Sequence, residues 1–334
     1  MAKSTSFQTG SITSVIIADE ATPGTEATNA ATRIIMPVTE YSFSETNAHT
    51  LSVAPFRTGL GGMTQSDDMV KWQQHDKMYE ISLTFHSTAQ AINRVCDALY
   101  GDGDGANVLL GNMPDDTMAQ VKHGVSNTNP VTISFEHGSH DGLNTDMYFI
   151  SCMCTSLSFS GDVGSNGGVV MATATFVTGY DPVEAAKNWS GGTETAISAQ
   201  ATMFNMHDMT TAQTLDGEDL VLFSFELNIA REVQRISFDS GNSFRPAGYS
   251  VGGYEVTGSL TCSRDSEIKD AIDNAAGMVL DLDTGVFQIT APKVFVEQAS
   301  IGFDADGWKQ TVPFRCTYDS AATSNPVVTI NTAA

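Results

Sequence analysis

The stretch Tyr254 to Ala276, YEVTGSLTCSRDSEIKDAIDNAA, constrains the fold most, because the chain carries a second version of it. Tyr79 to Leu99, YEISLTFHSTAQAINRVCDAL, opens on the same Tyr-Glu pair. In both, apolar and polar residues alternate, as in a half-buried strand. Val256, Leu260 and Cys262 fall on one face, and Thr257, Ser259 and Thr261 on the other. Each strand then turns into an apolar stripe at helical spacing: Ile268, Ala271, Ile272 and Ala275, or Ile92, Val95, Cys96 and Leu99. Asp265 and Glu267 sit in the first turn of the later helix, where carboxylates suit the positive end of the helix dipole. A repeated strand–turn–helix implies two related units.

Landmarks outside the stretch keep the same order. Tyr41-Ser42-Phe43-Ser44 matches Phe223-Ser224-Phe225-Glu226 before a long Gly-rich loop. Near the end, Leu157-Ser158-Phe159 and Thr175 to Asp181 match Ile301-Gly302-Phe303 and Pro313 to Asp319. Abundant Ser, Thr, Asn and Gly, with charged residues at 16%, favour a β-rich protein with many turns. The expected fold is mainly β: two tandem β-sandwich domains, each with one flanking α-helix. The boundaries read as an N-terminal arm over 1–36, a first domain over 37–181, a connecting region over 182–219 and a second domain with a C-terminal tail over 220–334. The arm holds one apolar piece, Ser14 to Ile17, and is expected either to be a disordered tail or to order against a neighbouring subunit. In the second domain, Val221 to Ile229 reads as one strand and Val233 to Phe238 as its return strand.

Net charge is −23, so a protein that grips nucleic acid is disfavoured, whereas a surface that must not hold DNA is compatible with it. The five cysteines form no CxxC pair, and Cys96, Cys262 and Cys316 fall on apolar faces, as free buried thiols do. No apolar run of about 20 residues and no secretory signal core is present, so a soluble chain made in the cytoplasm is expected.

Catalytic and metal motifs give little. No nucleophile elbow, zinc-protease helix or phosphate loop occurs. His137 and His140 lack further ligands at metal spacing, and Asp102, Asp104, Asp304 and Asp306 lack the rest of a calcium loop. Met203, Met206, His207 and Met209 read as a loop covering an apolar surface rather than a soft-metal site. The chain is therefore read as a non-enzyme without cofactor or metal. A competing class is a surface- or carbohydrate-binding β-sandwich, such as an adhesin or capsid decoration protein, but Trp72, Trp189 and Trp308 are too dispersed for a sugar platform.

The arm, the strand pair, the long loop, the Gly-Tyr-Glu-Val-Thr-Gly-Ser-Leu segment with its acidic helix, and the closing strand together resemble the tail tube (major tail) protein of long-tailed bacteriophages. Residues 220 to 319 resemble it best. The resemblance implies tail-tube-like sandwich domains in rings that stack into a hollow tube, with DNA passing through the lumen unbound. For a duplicated chain it implies trimeric rings with pseudo-sixfold symmetry. Implied partners are further copies and other tail proteins, such as tape measure, tail terminator and distal tail protein, with no membrane. The implied site is the virion tail, assembled in the host cytoplasm. Long loops of the family reach the adjacent ring, which assigns inter-ring contacts to Arg57, Gly59, Gly61, Gly62, Asp67, Asp68 and Trp72, and to Asp239, Asn242, Phe244 and Arg245. Glu45, Glu226 and Asp239 are the acidic groups expected near the lumen. The first-half insertions, Asp102 to Asn129 and Gly161 to Gly168, have no counterpart in single-domain relatives.

Overall fold

The structure is a computed structural model. It describes residues 12–20, 24–28, 33–46, 49–53, 70–74, 78–100, 130–137, 146–185, 187, 189, 195–197, 200, 203–208, 213–236, 246, 248–264, 277–283, 288–296, 300–304, 307–317 and 327–331. Among these, most residues are in strands. The first half gives β1 (Ile12–Asp19), β2 (Ile34–Ile35), β3 (Val38–Thr46), β4 (His49–Val53), β5 (Val70–Gln74), β6 (Met78–His86), α1 (Ala89–Tyr100), β7 (Val131–His137), β8 (Met147–Asp162) and β9 (Met171–Thr178). The second gives β10 (Gln213–Leu215), β11 (Glu218–Leu220), β12 (Leu222–Ile236), β13 (Gly248–Ser263), β14 (Met278–Asp283), β15 (Gln288–Val296), β16 (Ser300–Asp304), β17 (Gly307–Cys316) and β18 (Thr329–Asn331).

All named strand pairs are antiparallel, and one strand order appears twice. In the first half β3, β6, β9 and β8 are neighbours in that order. In the second, β12, β13, β17 and β16 repeat it. The two sets join where β8 pairs with β12, from Ser224 opposite Asp162 to Ala230 opposite Ser156. The result is one continuous sheet of eight strands with β3 and β16 at its outer edges.

The apolar face of this sheet is buried by a second layer. Alternation decides which residues face it: Ile81, Leu83 and Phe85 on β6, and Val256, Leu260 and Cys262 on β13, are all buried. In the first half the covering layer is β1, β2, β7 and the beginning of β8. Strand β8 is bent: its start pairs with β7, and its end with β9 and β12. Tyr79 lies 6.0 Å from Phe149 and Tyr41 5.6 Å from Phe135, ring centre to ring centre, which ties the two layers together. In the second half β10, β14 and β15 cover the sheet, and Leu280, Ile289 and Val294 fill the space.

The helix α1 buries Ile92, Val95, Cys96 and Leu99, the stripe its spacing predicts. Its counterpart near Ile268 falls at 265–276, outside the described residues. Two expectations change. The apolar piece of the arm neither trails free nor leaves the subunit: it is β1, paired with β7 from Ile12 to Asp19, with Val15, Ile16 and Ile17 in the core. Secondly, Val233 does not begin a return strand. β12 runs unbroken through Arg231 to Ile236, with only a local register shift at Arg231/Val233, and β13 is its return partner. Arg231, between the two expected strands, is buried, and its guanidinium donates three hydrogen bonds.

Close packing explains one glycine in the repeated segment. A Cβ on Gly258 would stand 2.4 Å from the Glu226 carbonyl oxygen and 2.4 Å from the Phe314 ring. The Phe314 ring crosses β13 at this place, and only glycine leaves room for it.

Candidate functional site

The eight-stranded sheet has an uncovered face, and register shows what it carries. On β8 it displays Ser156, Ser158, Ser160 and Asp162; on β12, Ser224, Glu226 and Asn228; on β13, Thr257, Ser259 and Thr261. Thr84 and Thr173 are hydroxyl neighbours across β6 and β9 at 3.0 Å, and Thr261 and Thr311 across β13 and β17 at 3.3 Å. Short hydroxyl side chains lie flat on a pleated face and leave it smooth. The charges on it are mainly acidic. Glu226 and Asp162 are exposed, and Arg315 is engaged by Glu255 at 2.7 Å.

The acidic residues expected near the lumen fall on different sides of the sheet. Glu226 projects from the polar face. Glu45 stands opposite Tyr79 on β3 and therefore shares the apolar side of the sheet, next to the Tyr79 hydroxyl. Asp239 lies outside the described residues, as do Arg57, Gly59, Gly61, Gly62, Asp67, Asp68, Asn242, Phe244 and Arg245. The backbone of Trp72 is described: it is on β5, opposite Leu51 of β4. Both long loops thus close hairpins, β4–β5 and β12–β13. The register places these hairpins at the same end of the sheet, because Thr46 pairs with Met78 there and Arg231 with Tyr254.

The sheet edges carry apolar side chains that water still reaches. Phe43 on β3 is 49% exposed, and Ile301 on β16 is 50% exposed. At the internal joint the corresponding side of the sheet is sealed: Phe159 opposes Leu227 and Leu157 opposes Ile229, all four buried.

Buried polar groups hold the framework. Arg231 donates from Nε to the Cys154 carbonyl (2.8 Å), from Nη1 to the Tyr254 hydroxyl (3.0 Å) and from Nη2 to the Ala98 carbonyl (3.0 Å). The Tyr254 hydroxyl donates in turn to the Leu99 carbonyl. A strand pair of the second half thereby caps the C-terminal end of α1 in the first, where carbonyls lack partners and positive charge is favourable. Lys187, from the connecting region, is buried between the Tyr148 and Trp189 rings (5.3 and 5.0 Å) and paired with Glu26 at 3.2 Å. In the Met/His segment Met203 and His207 are exposed, and Met209 lies outside the described residues. Phe204 and Met206 are buried, and no metal cluster of His, Cys, Asp or Glu occurs among the described residues.

Glu20 is a buried acid held by three donors. It accepts from the Ser151 amide (2.5 Å), the Thr132 hydroxyl (2.9 Å) and the Gly24 amide (3.1 Å). Ser151 adopts φ 54° to present its amide, a conformation uncommon outside glycine. Burial pushes the Glu20 carboxyl up to about 7, although all three donors favour its ionised form. The unfolded chain releases this proton near pH 4.3, roughly the free glutamate value. The stabilising contribution of the protonated form is therefore full below that pH and lost as pH rises through about 7. Urea midpoints are expected to fall between pH 5 and pH 8, by on the order of 3 kcal/mol in stability, and Glu20→Gln should flatten that slope. An unchanged slope in the variant would refute the assignment.

Sequence reasoning missed Glu20, Lys187 and Arg231, because a lone charge beside an apolar run looks like a break or a solvated end. The signal present for Arg231 was its position: it keeps the parity of the buried residues Leu227 and Ile229.

No helix among the described residues is long and apolar enough to cross a membrane. No curated protein matches the chain. The sequence model of the phage tail tube protein family matches residues 10–316, nearly the whole length. That match displaces the carbohydrate-binding alternative and agrees with the mainly β, antiparallel architecture. The chain belongs to the phage tail tube protein family and is a structural protein of the bacteriophage tail.

Proposed function

We propose that three copies close into a ring with pseudo-sixfold symmetry, and that rings stack into a hollow tube through which DNA passes. The observation that carries this reading is the β8–β12 joint. It already fuses two four-stranded sets into one sheet, and it leaves β3 and β16 as open edges. β16 holds the place in the second half that β8 holds in the first, and β3 the place of β12. Pairing β16 of one copy with β3 of the next would repeat the internal joint between chains and remove the edges. The repeated strand order also supports a tandem duplication, which makes three chains equivalent to six units. The uncovered face, with its hydroxyls, Glu226 and Asp162, would then line the channel. Phosphates would meet like charge and short polar groups, so DNA would slide without being held. Glu45 belongs on the other side of that wall.

The partners in this reading are further copies, with tape measure, tail terminator and distal tail proteins at the tube's axis and ends, and assembly takes place in the host cytoplasm. Negative-stain micrographs of the purified chain are expected to show tubes with a regular axial repeat and threefold end views. Strictly monomeric protein at high concentration and with tail-nucleating components would refute the proposal.

A further inference from the structure

The two halves of the sheet can be laid over each other from fixed points. β3 and β6 shift register between Val38 and Glu40, and β12 and β13 between Leu222 and Ser224. Beside each shift stands a pair of facing threonine hydroxyls, Thr84 with Thr173 and Thr261 with Thr311. With these matched, Phe43 (opposite Ile81) takes the place of Leu227 (opposite Gly258), and Glu45 takes the place of Ile229. At the other edge Ser300 faces Thr311 as Ser158 faces Thr173, so Ile301 takes the place of Phe159. These ladder positions differ by two residues from the sequence matches of Tyr41 with Phe223 and Leu157 with Ile301.

The internal joint is apolar on its covered side, where Leu227 faces Phe159 and Ile229 faces Leu157. In the same register, Ile301 of one copy would meet Phe43 of the next. Phe43 is set to receive it: Phe135 at 6.2 Å and Phe149 at 6.0 Å back its ring, and half of its surface remains in water. Where the internal joint continues with Ile229, β3 continues with Glu45. Glu45 is exposed and lies against the Tyr79 hydroxyl, which donates to Asp181 at 2.9 Å. Across the joint it would stand diagonal to Ile301 on the same side, roughly 7–8 Å away.

We infer that Glu45 controls the closing of the joint between copies: it is a carboxylate set into an otherwise apolar seam, and it keeps the β3 edge of a free chain from pairing until copies are plentiful. The inference rests on the β16–β3 pairing proposed above and adds the residue that regulates it. An inward-pointing charge on an edge strand opposes strand addition, because the arriving strand strips water from it. Asp181, on the other side of the Tyr79 hydroxyl, adds like charge rather than a counter-ion.

Glu45→Ile copies the internal joint. It is expected to lower the concentration at which tubes first scatter light by at least about tenfold, with negative stain confirming tubes. Glu45→Gln, which removes the charge and keeps the shape, should give a smaller fall. An unchanged or higher concentration for Glu45→Ile would overturn the inference. Adding Ile301→Lys to Glu45→Ile should cancel the gain, and assembly that persists in the double variant would also overturn it. Register is read separately, by mixing copies bearing Ser44→Cys with copies bearing Ser300→Cys and treating the tubes with a short bismaleimide. The five native cysteines are buried and contribute no background. Cross-linked dimer is expected, and well-formed tubes without it would remove Glu45 from the seam. A chain that stays monomeric at every concentration, both unmodified and as Glu45→Ile, would sink the ring reading and this inference with it.

Discussion

Ile301→Lys is expected to fold normally and to form no tubes. In the isolated chain Ile301 lies on the outer edge of the sheet, opposite Gln310, with half its surface in water. A lysine there keeps its ammonium solvated, and an exposed substitution of this kind costs within about 0.5 kcal/mol. The proposed ring would change its surroundings. Against β3 of a neighbour, the same position would approach the apolar side of that strand, where Tyr41 and Phe43 lie. An unpaired ammonium taken out of water at that joint costs several kcal/mol, and a closed ring contains the joint once for every copy. Charged residues at sheet edges are the usual means of preventing edge-to-edge association. Circular dichroism and urea midpoints should match the unmodified chain, while light scattering should report monomer. Tubes of ordinary appearance would show that β16 is not a ring-closing edge.

Arg231→Ala is expected to have the largest effect on stability. The substitution removes a buried guanidinium and with it the donors to the Cys154 and Ala98 carbonyls, while the Tyr254 hydroxyl keeps only its bond to the Leu99 carbonyl among those described. Buried acceptors left without donors cost about 1–3 kcal/mol each, and the vacated volume adds a cavity penalty. A loss of roughly 3–5 kcal/mol follows once partial relaxation is allowed for. Tyr254→Phe removes only the hydroxyl and should cost about 1 kcal/mol. Amide exchange should rise at the end of α1 in both variants, because both remove part of its cap. A Arg231→Ala midpoint within experimental error of the parent would mean that the cap contributes nothing.

The sequence was most legible where burial follows a short period. The stripe of α1 and the alternation of β6 and β13 required no more than counting, and each agrees with burial. Class and family followed from those segments. The sheet-wide arrangement was less accessible. The β8–β12 joint pairs residues some seventy positions apart, and a single sequence carries no local mark of such a contact. The N-terminal piece Ser14 to Ile17 was visible as apolar, but nothing in it names β7 as its partner. Arg231 and Glu20 were hidden for a different reason. A buried charge is tolerated only when distant groups converge on it, and convergence is a property of the fold. The polar face lay between these cases: alternation marked Glu226 as outward, and only register separated it from Glu45.

The β8–β12 joint also bears on how quickly such a ring can form. In the proposed ring, covalent linkage would turn half of the strand-to-strand junctions into intramolecular contacts, which form at an effective concentration set by the tether rather than by the supply of subunits. A six-unit circle assembled from three chains needs two bimolecular encounters before it closes on itself, where six separate units would need five. Each of those encounters carries an entropic cost of several kcal/mol. At the low protein concentrations early in assembly, incomplete arcs built from tandem chains would therefore be rarer, and closure would begin sooner.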